Sequence, residues 1–132
     1  MPSGGNGPER AARAPAMTAL CLVVEDEPAI LRLVTMVVQD LGFQVIAVSD
    51  AEAALEAIAR EKPQVVLTDV RLPGMDGVEL ARRIRSDPAL AGVPVLLMSA
   101  YGEPPDHDGD GFLSKPFDLD QLIEFLRRHL PL

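Results

Sequence analysis

The sequence predicts an α/β fold in which a parallel sheet of five strands is covered by helices on both faces. Short apolar runs rich in β-branched residues alternate along the chain with segments whose apolar residues recur at helical spacing. Polar or charged residues follow directly after most of these runs. In open α/β sheets the carboxyl ends of the strands are where ligands bind, so these residues are candidates for a functional site. A chain of 132 residues is long enough for one such domain.

Five short runs are predicted to form the strands. They are residues 20–24, 44–48, 65–69, 94–98 and 111–114. Reactive side chains stand at the ends of four of these runs, in chain order Glu25 with Asp26, Asp69, Ser99, and Lys115. Because the carboxyl ends of parallel strands meet at one edge of a sheet, we expect three carboxylates, a hydroxyl and an ammonium group to converge on one crevice.

Four helices are predicted from the apolar spacing and from residues typical of helix ends. The first begins at Pro28, which suits an opening turn, and ends at Gly42. The other three begin at pairs typical of capping boxes, namely Ser49 with Glu52, Asp76 with Glu79, and Asp118 with Gln121. The helix after Asp76 carries Arg82, Arg83 and Arg85, which we interpret as a solvated face.

The connection between the fourth and fifth strands breaks the alternation. Residues 102–111 contain no apolar side chain, two prolines and three glycines, a composition that does not form an amphipathic helix. A parallel connection normally takes a dozen or more residues and usually a helix. The sequence therefore predicts an irregular crossover, with the helix expected at this place missing or shortened.

Composition limits the remaining possibilities. Residues 1–17 include a Gly- and Pro-rich stretch and are predicted to be a disordered tail before one domain at 18–132. The formal charge of −8 argues against a nucleic-acid partner, since phosphate contacts need clustered Lys and Arg. No apolar run approaches the roughly 18 residues of a membrane span, so we expect no membrane partner and a cytoplasmic location. Cys21 lies within an apolar strand and is interpreted as a buried small hydrophobe.

The predicted crevice has a definite chemistry. Glu25, Asp26 and Asp69 repel one another when held together, and a divalent cation relieves that repulsion. An all-oxygen site suits Mg²⁺ or Mn²⁺. A carboxylate beside a metal can also attack phosphorus and form an aspartyl phosphate. The Lys115 ammonium and the Ser99 hydroxyl would then stabilise the oxygens of the transferring phosphoryl group.

Four motifs together resemble those of response-regulator receiver domains of two-component signalling. In chain order they are Val24-Glu25-Asp26-Glu27, Thr68-Asp69 with Leu72-Pro73-Gly74-Met75-Asp76-Gly77, Met98-Ser99-Ala100, and Phe112-Leu113-Ser114-Lys115-Pro116-Phe117. The resemblance runs from about Ala19 to Leu130. It implies a doubly wound, flavodoxin-like sheet with strand order 2-1-3-4-5.

The resemblance also implies roles for individual residues. Asp69 would accept a phosphoryl group from a phosphohistidine on a histidine kinase or a histidine phosphotransfer protein. Asp26, Asp69 and the backbone carbonyl of Arg71 would bind Mg²⁺, with Glu25 acting through water. Ser99 and Lys115 would hold the phosphoryl oxygens.

Further positions are implied to act in switching and in the lifetime of the phosphate. Movement of Ser99 and Lys115 would draw in Phe112, the family's aromatic switch position. The Lys115-Pro116 bond would be cis. Arg71 and Tyr101 match variable positions that tune how fast the phosphate is lost. The chain would thus take part in its own phosphorylation and dephosphorylation, while serving mainly as a switch.

Output is expected through contact with a downstream protein or through onward relay of the phosphate. The receiver is expected either to stand alone or to be part of a larger regulator or hybrid kinase, and the end of the chain at Leu132, just past the last predicted helix, favours a stand-alone protein. The irregular crossover departs from the family, in which a helix occupies this place and contributes to the face used for dimerisation and output.

Two other functions fit parts of the sequence. The first is a binding module that keeps the fold but signals without phosphorylation. The second is calcium binding by residues 106–111, which have acidic residues at the first, third and fifth positions of an EF-hand loop and glycine at the sixth. The match then fails, because the twelfth position of the loop is Phe117, where a bidentate glutamate is needed.

Overall fold

The computed structural model describes residues 19–130, so the predicted tail at 1–17 lies outside the described residues. The strands are β1 (Leu20–Val24), β2 (Gln44–Val48), β3 (Val65–Asp69), β4 (Val95–Ser99) and β5 (Gly111–Ser114). The helices are α1 (Pro28–Asp40), α2 (Ala51–Arg60), α3 (Gly77–Ser86) and α4 (Leu119–His129), with one 3-10 turn at Pro88–Leu90. No helix in the described part of the chain is long and apolar enough to cross a membrane.

The five strands form one parallel sheet in the order β2-β1-β3-β4-β5, which confirms the predicted fold. The register aligns the strand ends that carry the candidate residues. Val24 pairs with Thr68, and Asp69 pairs with Met98. Ser99 pairs with Ser114, the residue before Lys115. The carboxyl ends of β1, β3, β4 and β5 therefore meet along one edge of the sheet.

Each face of the sheet has its own apolar core, because side chains alternate between the faces along a strand. Leu67 and Met98 belong to the core that α1 and α4 cover. Val66 and Leu97 belong to the core that α2 and α3 cover. All residues of β1, β3 and β4 are buried, as expected for central strands covered on both sides.

Side-chain caps fix where three of the helices begin. Asp76 accepts a hydrogen bond from the backbone N–H of Glu79, and Asp118 forms the reciprocal capping box with Gln121, as predicted. The prediction was wrong for α2. Its cap is Asp50, whose carboxylate accepts from the N–H of Ala53 at 2.7 Å, and not Ser49. Ser and Asp are about equally favoured as caps, so the two adjacent residues could each serve, and Asp50 does so because the helix begins at Ala51.

The crossover at residues 100–110 contains no helix, which confirms the irregular connection that the sequence predicts. Arg85 of α3 holds it in place. Its guanidinium lies 2.5 Å from a carboxylate oxygen of Asp110 and donates to the carbonyl of Asp108. The same Asp110 oxygen accepts from the N–H of Val95 at 2.8 Å. Arg85 therefore joins α3 to the crossover, while Arg82 and Arg83 are exposed and pair with Glu79 as expected for a solvated face.

His107 joins two parts of the crossover to each other. One ring nitrogen accepts from the N–H of Gly109 at 3.0 Å, and the other lies 2.7 Å from a carboxylate oxygen of Glu103. Gly109 lies close to the sheet, since a Cβ built there would be 3.0 Å from Cγ of Leu97. This short loop thus helps to cover an apolar residue on the face where a helix is missing.

Candidate active site

The site centres on three carboxylates that the fold brings together. Glu25 and Asp26 follow β1, and Asp69 ends the neighbouring β3. One carboxylate oxygen from each lies within 4.8 Å of the others. Glu25 and Asp69 are buried, whereas Asp26 is exposed. Among residues 19–130 this is the one group of three or more acidic, His or Cys side chains close enough to hold a metal ion, and the acidic residues of the crossover form none.

Lys115 supplies the positive charge in this group. Its ammonium nitrogen lies 2.8 Å from Glu25 Oε1 and 3.3 Å from Asp69 Oδ2, and only 10% of its side chain is exposed. Burial by itself lowers the pKa of Lys115, but the hydrogen bonds and charges of Glu25 and Asp69 outweigh burial and raise it. Lys115 is therefore a fixed cation at the edge of the sheet.

Asp69 holds its proton more strongly than an ordinary aspartate. Burial raises its pKa to about 6, and the charge of Glu25 adds to that effect, while Lys115 opposes it. The causes are thus a shortage of water and an excess of negative charge around this carboxylate. A metal cation near Asp69 would favour the ionised form.

Glu25 provides an independent test of whether a cation fits. Its Oε2 accepts a hydrogen bond from the N–H of Glu27 at 3.1 Å, which fixes the carboxylate. Its Oε1 is buried against the Lys115 ammonium at 2.8 Å, and its second lone pair remains for a further donor. A water molecule on a hard divalent cation would supply that donor. The oxygen-only set of side chains suits Mg²⁺ or Mn²⁺.

Ser99 lies at the end of β4 and is almost fully buried. Its Oγ accepts a hydrogen bond from the N–H of Tyr101 at 3.0 Å, so its own hydrogen stays available for another acceptor. Phe112, the other predicted switch residue, lies on β5 opposite Leu97. It is partly buried against the core under α2 and α3, and it does not line the acidic pocket.

Asp26 and Asp69 open into a polar pocket of about 250 Å³. Its lining consists of Asp26, Glu27, Asp69, Arg71, Ala100, Tyr101 and Lys115. Arg71 and Tyr101 form one side of the rim, with the guanidinium carbon 4.5 Å from the ring centroid in a cation–π contact. The Tyr101 side chain is otherwise exposed.

A second, mainly apolar groove of about 270 Å³ adjoins this pocket. It is lined by Glu27, Ile30, Leu33, Ala100, Lys115, Pro116 and Phe117. The Lys115-Pro116 peptide bond on its floor is cis, as the family resemblance implies. Glu27, Ala100 and Lys115 line both cavities and so form the boundary between them.

Sequence reasoning missed the importance of Gly77. A Cβ built at this position would lie 2.2 Å from the backbone oxygen of Asp69, far inside contact distance. The N–H of Gly77 also donates to the carbonyl of Val70 at 2.9 Å. The start of α3 therefore packs directly against the backbone of the central aspartate. The available signal was a glycine at the first helical position, where a residue with a side chain is usual.

Comparison with known proteins identifies the family. Residues 21–127 match the response regulator receiver domain, and the chain belongs to this family. Receiver domains bind Mg²⁺ at an acidic pocket and interact with histidine kinases or phosphotransfer proteins in two-component signalling.

One curated relative is the DNA-binding response regulator MtrA of Mycolicibacterium smegmatis, which is 32% identical over 115 residues. The match covers 83% of this chain and 49% of MtrA, so the chain spans about half the length of this relative. MtrA is named as a DNA-binding protein. That name conflicts with the expectation that nucleic acid is not a partner, at least for proteins that contain such a domain.

Two solved structures show the same fold. Chemotaxis response regulator CheY4 of Vibrio cholerae superposes with a TM-score of 0.79 at 28% identity, covering 86% of this chain and 99% of CheY4. The receiver domain of sensor histidine kinase PA1611 from Pseudomonas aeruginosa has a TM-score of 0.74 at 28% identity, covering 84% and 96% of the two chains. That structure has a magnesium ion coordinated in its active site cleft.

Proposed function

We propose that this chain is a phosphorylation-activated receiver in which Asp69 accepts a phosphoryl group from a phosphohistidine. The donor is a histidine kinase or a histidine phosphotransfer protein, and output runs through a downstream protein or onward relay. The proposal keeps the cytoplasmic location expected from the sequence. The observation that carries it is the buried Asp69 carboxylate, which lies 3.3 Å from a lysine and opens with Asp26 into one polar pocket.

In the proposed reaction an ionised oxygen of Asp69 attacks phosphorus, and the bond between phosphorus and the donor breaks. Asp26, Asp69 and the carbonyl of Arg71 would hold Mg²⁺ or Mn²⁺, with Glu25 acting through water. The cation would neutralise charge on the phosphoryl oxygens. Lys115, held in place by Glu25, binds another of these oxygens, and the Ser99 hydroxyl donates to a third.

The switch would begin at Ser99. In the structure its Oγ accepts from the N–H of Tyr101, at the start of the crossover. Turning this side chain toward a phosphoryl oxygen changes that hydrogen bond and so links the site to the crossover. We propose that Phe112 moves inward with it, as the family resemblance implies.

The proposal is tested by intact-mass spectrometry after incubation with acetyl phosphate. We expect the wild-type protein to gain one phosphoryl group with Mg²⁺ or Mn²⁺ and none with EDTA, because without a metal ion three carboxylates share the single positive charge of Lys115. Ca²⁺ alone should support much less uptake, since it favours more ligands and longer bonds than this group of three carboxylates provides. Uptake that is absent with every metal would favour the binding module that works without phosphorylation.

The surface on which the donor docks is proposed to lie on α1. Leu33 and Met36 are 41% and 57% exposed, although both are large and apolar. Three residues apart, they share one face of the helix. Leu33 also lines the apolar groove that adjoins the acidic pocket. An apolar surface continuous with the site suits a protein that presents its phosphohistidine there.

Changing Met36 to glutamate should slow transfer from a phosphorylated protein by about tenfold or more, as expected for an apolar contact at the centre of an interface. Uptake from acetyl phosphate should stay unchanged, since a small donor needs no docking surface. A panel of phosphorylated histidine kinases is first tested with the wild-type protein. The rate of phosphoryl transfer from the fastest of them is then measured for each variant. Ala59→Glu, an exposed position on α2 across the sheet, is the control. Equal slowing by both variants would argue against α1 as the docking face.

A further inference from the structure

We propose that Glu27 is a specificity-determining residue, whose carboxylate accepts a hydrogen bond from the imidazole of the phosphohistidine donor. It would favour donors that leave as a neutral imidazole over donors that leave as an anion. This inference rests on the proposed function of the same site and adds to it a role for a residue that the phosphoryl pocket itself does not need.

The position of Glu27 carries the argument. A histidine side chain that enters along the apolar groove places its ring at the boundary with the polar pocket, where its phosphoryl group can reach Asp69. Three residues line both cavities there. Ala100 has no polar side-chain atom, and the Lys115 ammonium is already held by Glu25 and Asp69. Of the three, Glu27 has the side chain that can accept a hydrogen bond from the ring.

The Glu27 carboxylate is also available. Its residue precedes α1 in the N-cap position, yet its side chain caps no backbone N–H of the helix. Within residues 19–130 no hydrogen bond or ion pair occupies it, and the residue is exposed. Its backbone, in contrast, is held by the hydrogen bond from its N–H to Glu25. Among the described residues the carboxylate is therefore unengaged, and it lies where the two cavities meet.

The chemistry of the donor explains why a carboxylate is useful there. In a phosphohistidine one ring nitrogen is bonded to phosphorus, and the other can carry a proton. As an oxygen of Asp69 forms its bond to phosphorus, the electron pair of the N–P bond passes to the ring nitrogen. If the second nitrogen is protonated, the ring leaves as a neutral imidazole with one N–H. A hydrogen bond from that N–H to Glu27 stabilises the protonated, more reactive form of the donor.

Donors with an anionic leaving group should respond in the opposite sense. Acetyl phosphate releases acetate, which has no N–H to donate and carries a negative charge. The Glu27 charge repels that leaving group as it departs. The ratio of the two rate constants, for an imidazole donor over an acetyl donor, therefore reports on Glu27 separately from the rest of the site.

The experiment compares phosphorylation of the full chain by monophosphoimidazole and by acetyl phosphate in Mg²⁺. Wild type, Glu27→Gln, Glu27→Asp and the control Asp40→Asn at the far end of α1 are measured. We expect the ratio to fall by about tenfold in Glu27→Gln, as for loss of one charge-assisted hydrogen bond. Glu27→Asp should keep part of the preference for the imidazole donor, and Asp40→Asn should have the wild-type ratio.

The proposal is overturned if Glu27→Gln leaves the ratio unchanged or changes both rates equally, since a merely structural role would move both together. The same holds if Asp40→Asn lowers the ratio as much, which would indicate a general charge effect. If the wild type reacts with both donors and Glu27→Gln has the same ratio of rate constants as the wild type, only this inference is contradicted. A wild type inert to both donors contradicts the proposed function and this role with it.

Discussion

Replacing Asp69 with asparagine should abolish phosphoryl uptake and, at neutral pH without metal, raise the free energy of unfolding. The two effects have one origin. Folding raises the pKa of Asp69 from 3.8 to about 6, chiefly by burial and then by the charge of Glu25. Between these two values the folded protein holds a proton that the unfolded chain has released, so stability falls as the pH rises through this window.

Above about pH 6 the folded state bears the full cost of an ionised Asp69. A shift of this size corresponds to at most about 3 kcal/mol, at about 1.4 kcal/mol for each pKa unit. Asparagine has nearly the same shape and no charge, so it removes the cost. It also removes the oxygen that we propose attacks phosphorus. The residue that the proposed reaction requires is thus a source of instability in the metal-free protein.

Urea denaturation in EDTA at pH 4 and pH 7.5 measures this effect. We expect Asp69→Asn to be about 1–3 kcal/mol more stable than wild type at pH 7.5 and nearly equal at pH 4. Mg²⁺ should narrow the gap at pH 7.5, because it stabilises the wild-type site. Asp40→Asn, an exposed carboxylate, serves as the control. A gain of equal size at both pH values would contradict the electrostatic explanation.

Replacing Gly77 with alanine should destabilise the protein by about 3 kcal/mol or more, at the upper end of the cost of overpacking a core. The added Cβ would lie 2.2 Å from the backbone oxygen of Asp69, and backbone on both sides leaves no flexible side chain to move away. Relief requires α3 and the end of β3 to separate. Asp69 would shift with them, so phosphoryl uptake should fall even in the molecules that remain folded.

Thermal unfolding and acetyl phosphate uptake check this prediction together. Gly92→Ala is the matched control, because a Cβ there meets nothing within 4 Å and should change neither property. If Gly77→Ala unfolds at the wild-type temperature and takes up phosphate at the wild-type rate, the close packing of α3 against Asp69 is not what positions the site.

Local patterns were sufficient for the α/β class and for the reactive residues at the strand ends, whereas the strand order followed from the resemblance to receiver domains. Each strand is a short apolar run, and each reactive residue stands at the end of one. A parallel sheet with that strand order brings Glu25, Asp69 and Lys115 to one edge. The absence of a helix between β4 and β5 also followed from composition alone.

Contacts between distant segments could not be read in this way. Arg85 resembles any arginine on a solvated face, and only the three-dimensional path of the crossover brings Asp110 to it. The role of Gly77 depends on how closely α3 approaches β3, which has no counterpart in residue spacing. Glu27 gained its significance from two cavities that meet beside it.

The crossover between β4 and β5 makes one region of this fold tolerant of changes in length. Its anchors, Arg85, His107 and Asp110, hold its second half, while residues 101–106 run mostly over the surface. Doubling the length of such a loop costs only about 0.6 kcal/mol in closure entropy. Insertions near Pro105 would therefore leave β4, β5 and the edge that carries Asp69 in place. The length of the chain can therefore vary near Pro105 while the residues at the carboxyl ends of the strands keep their positions.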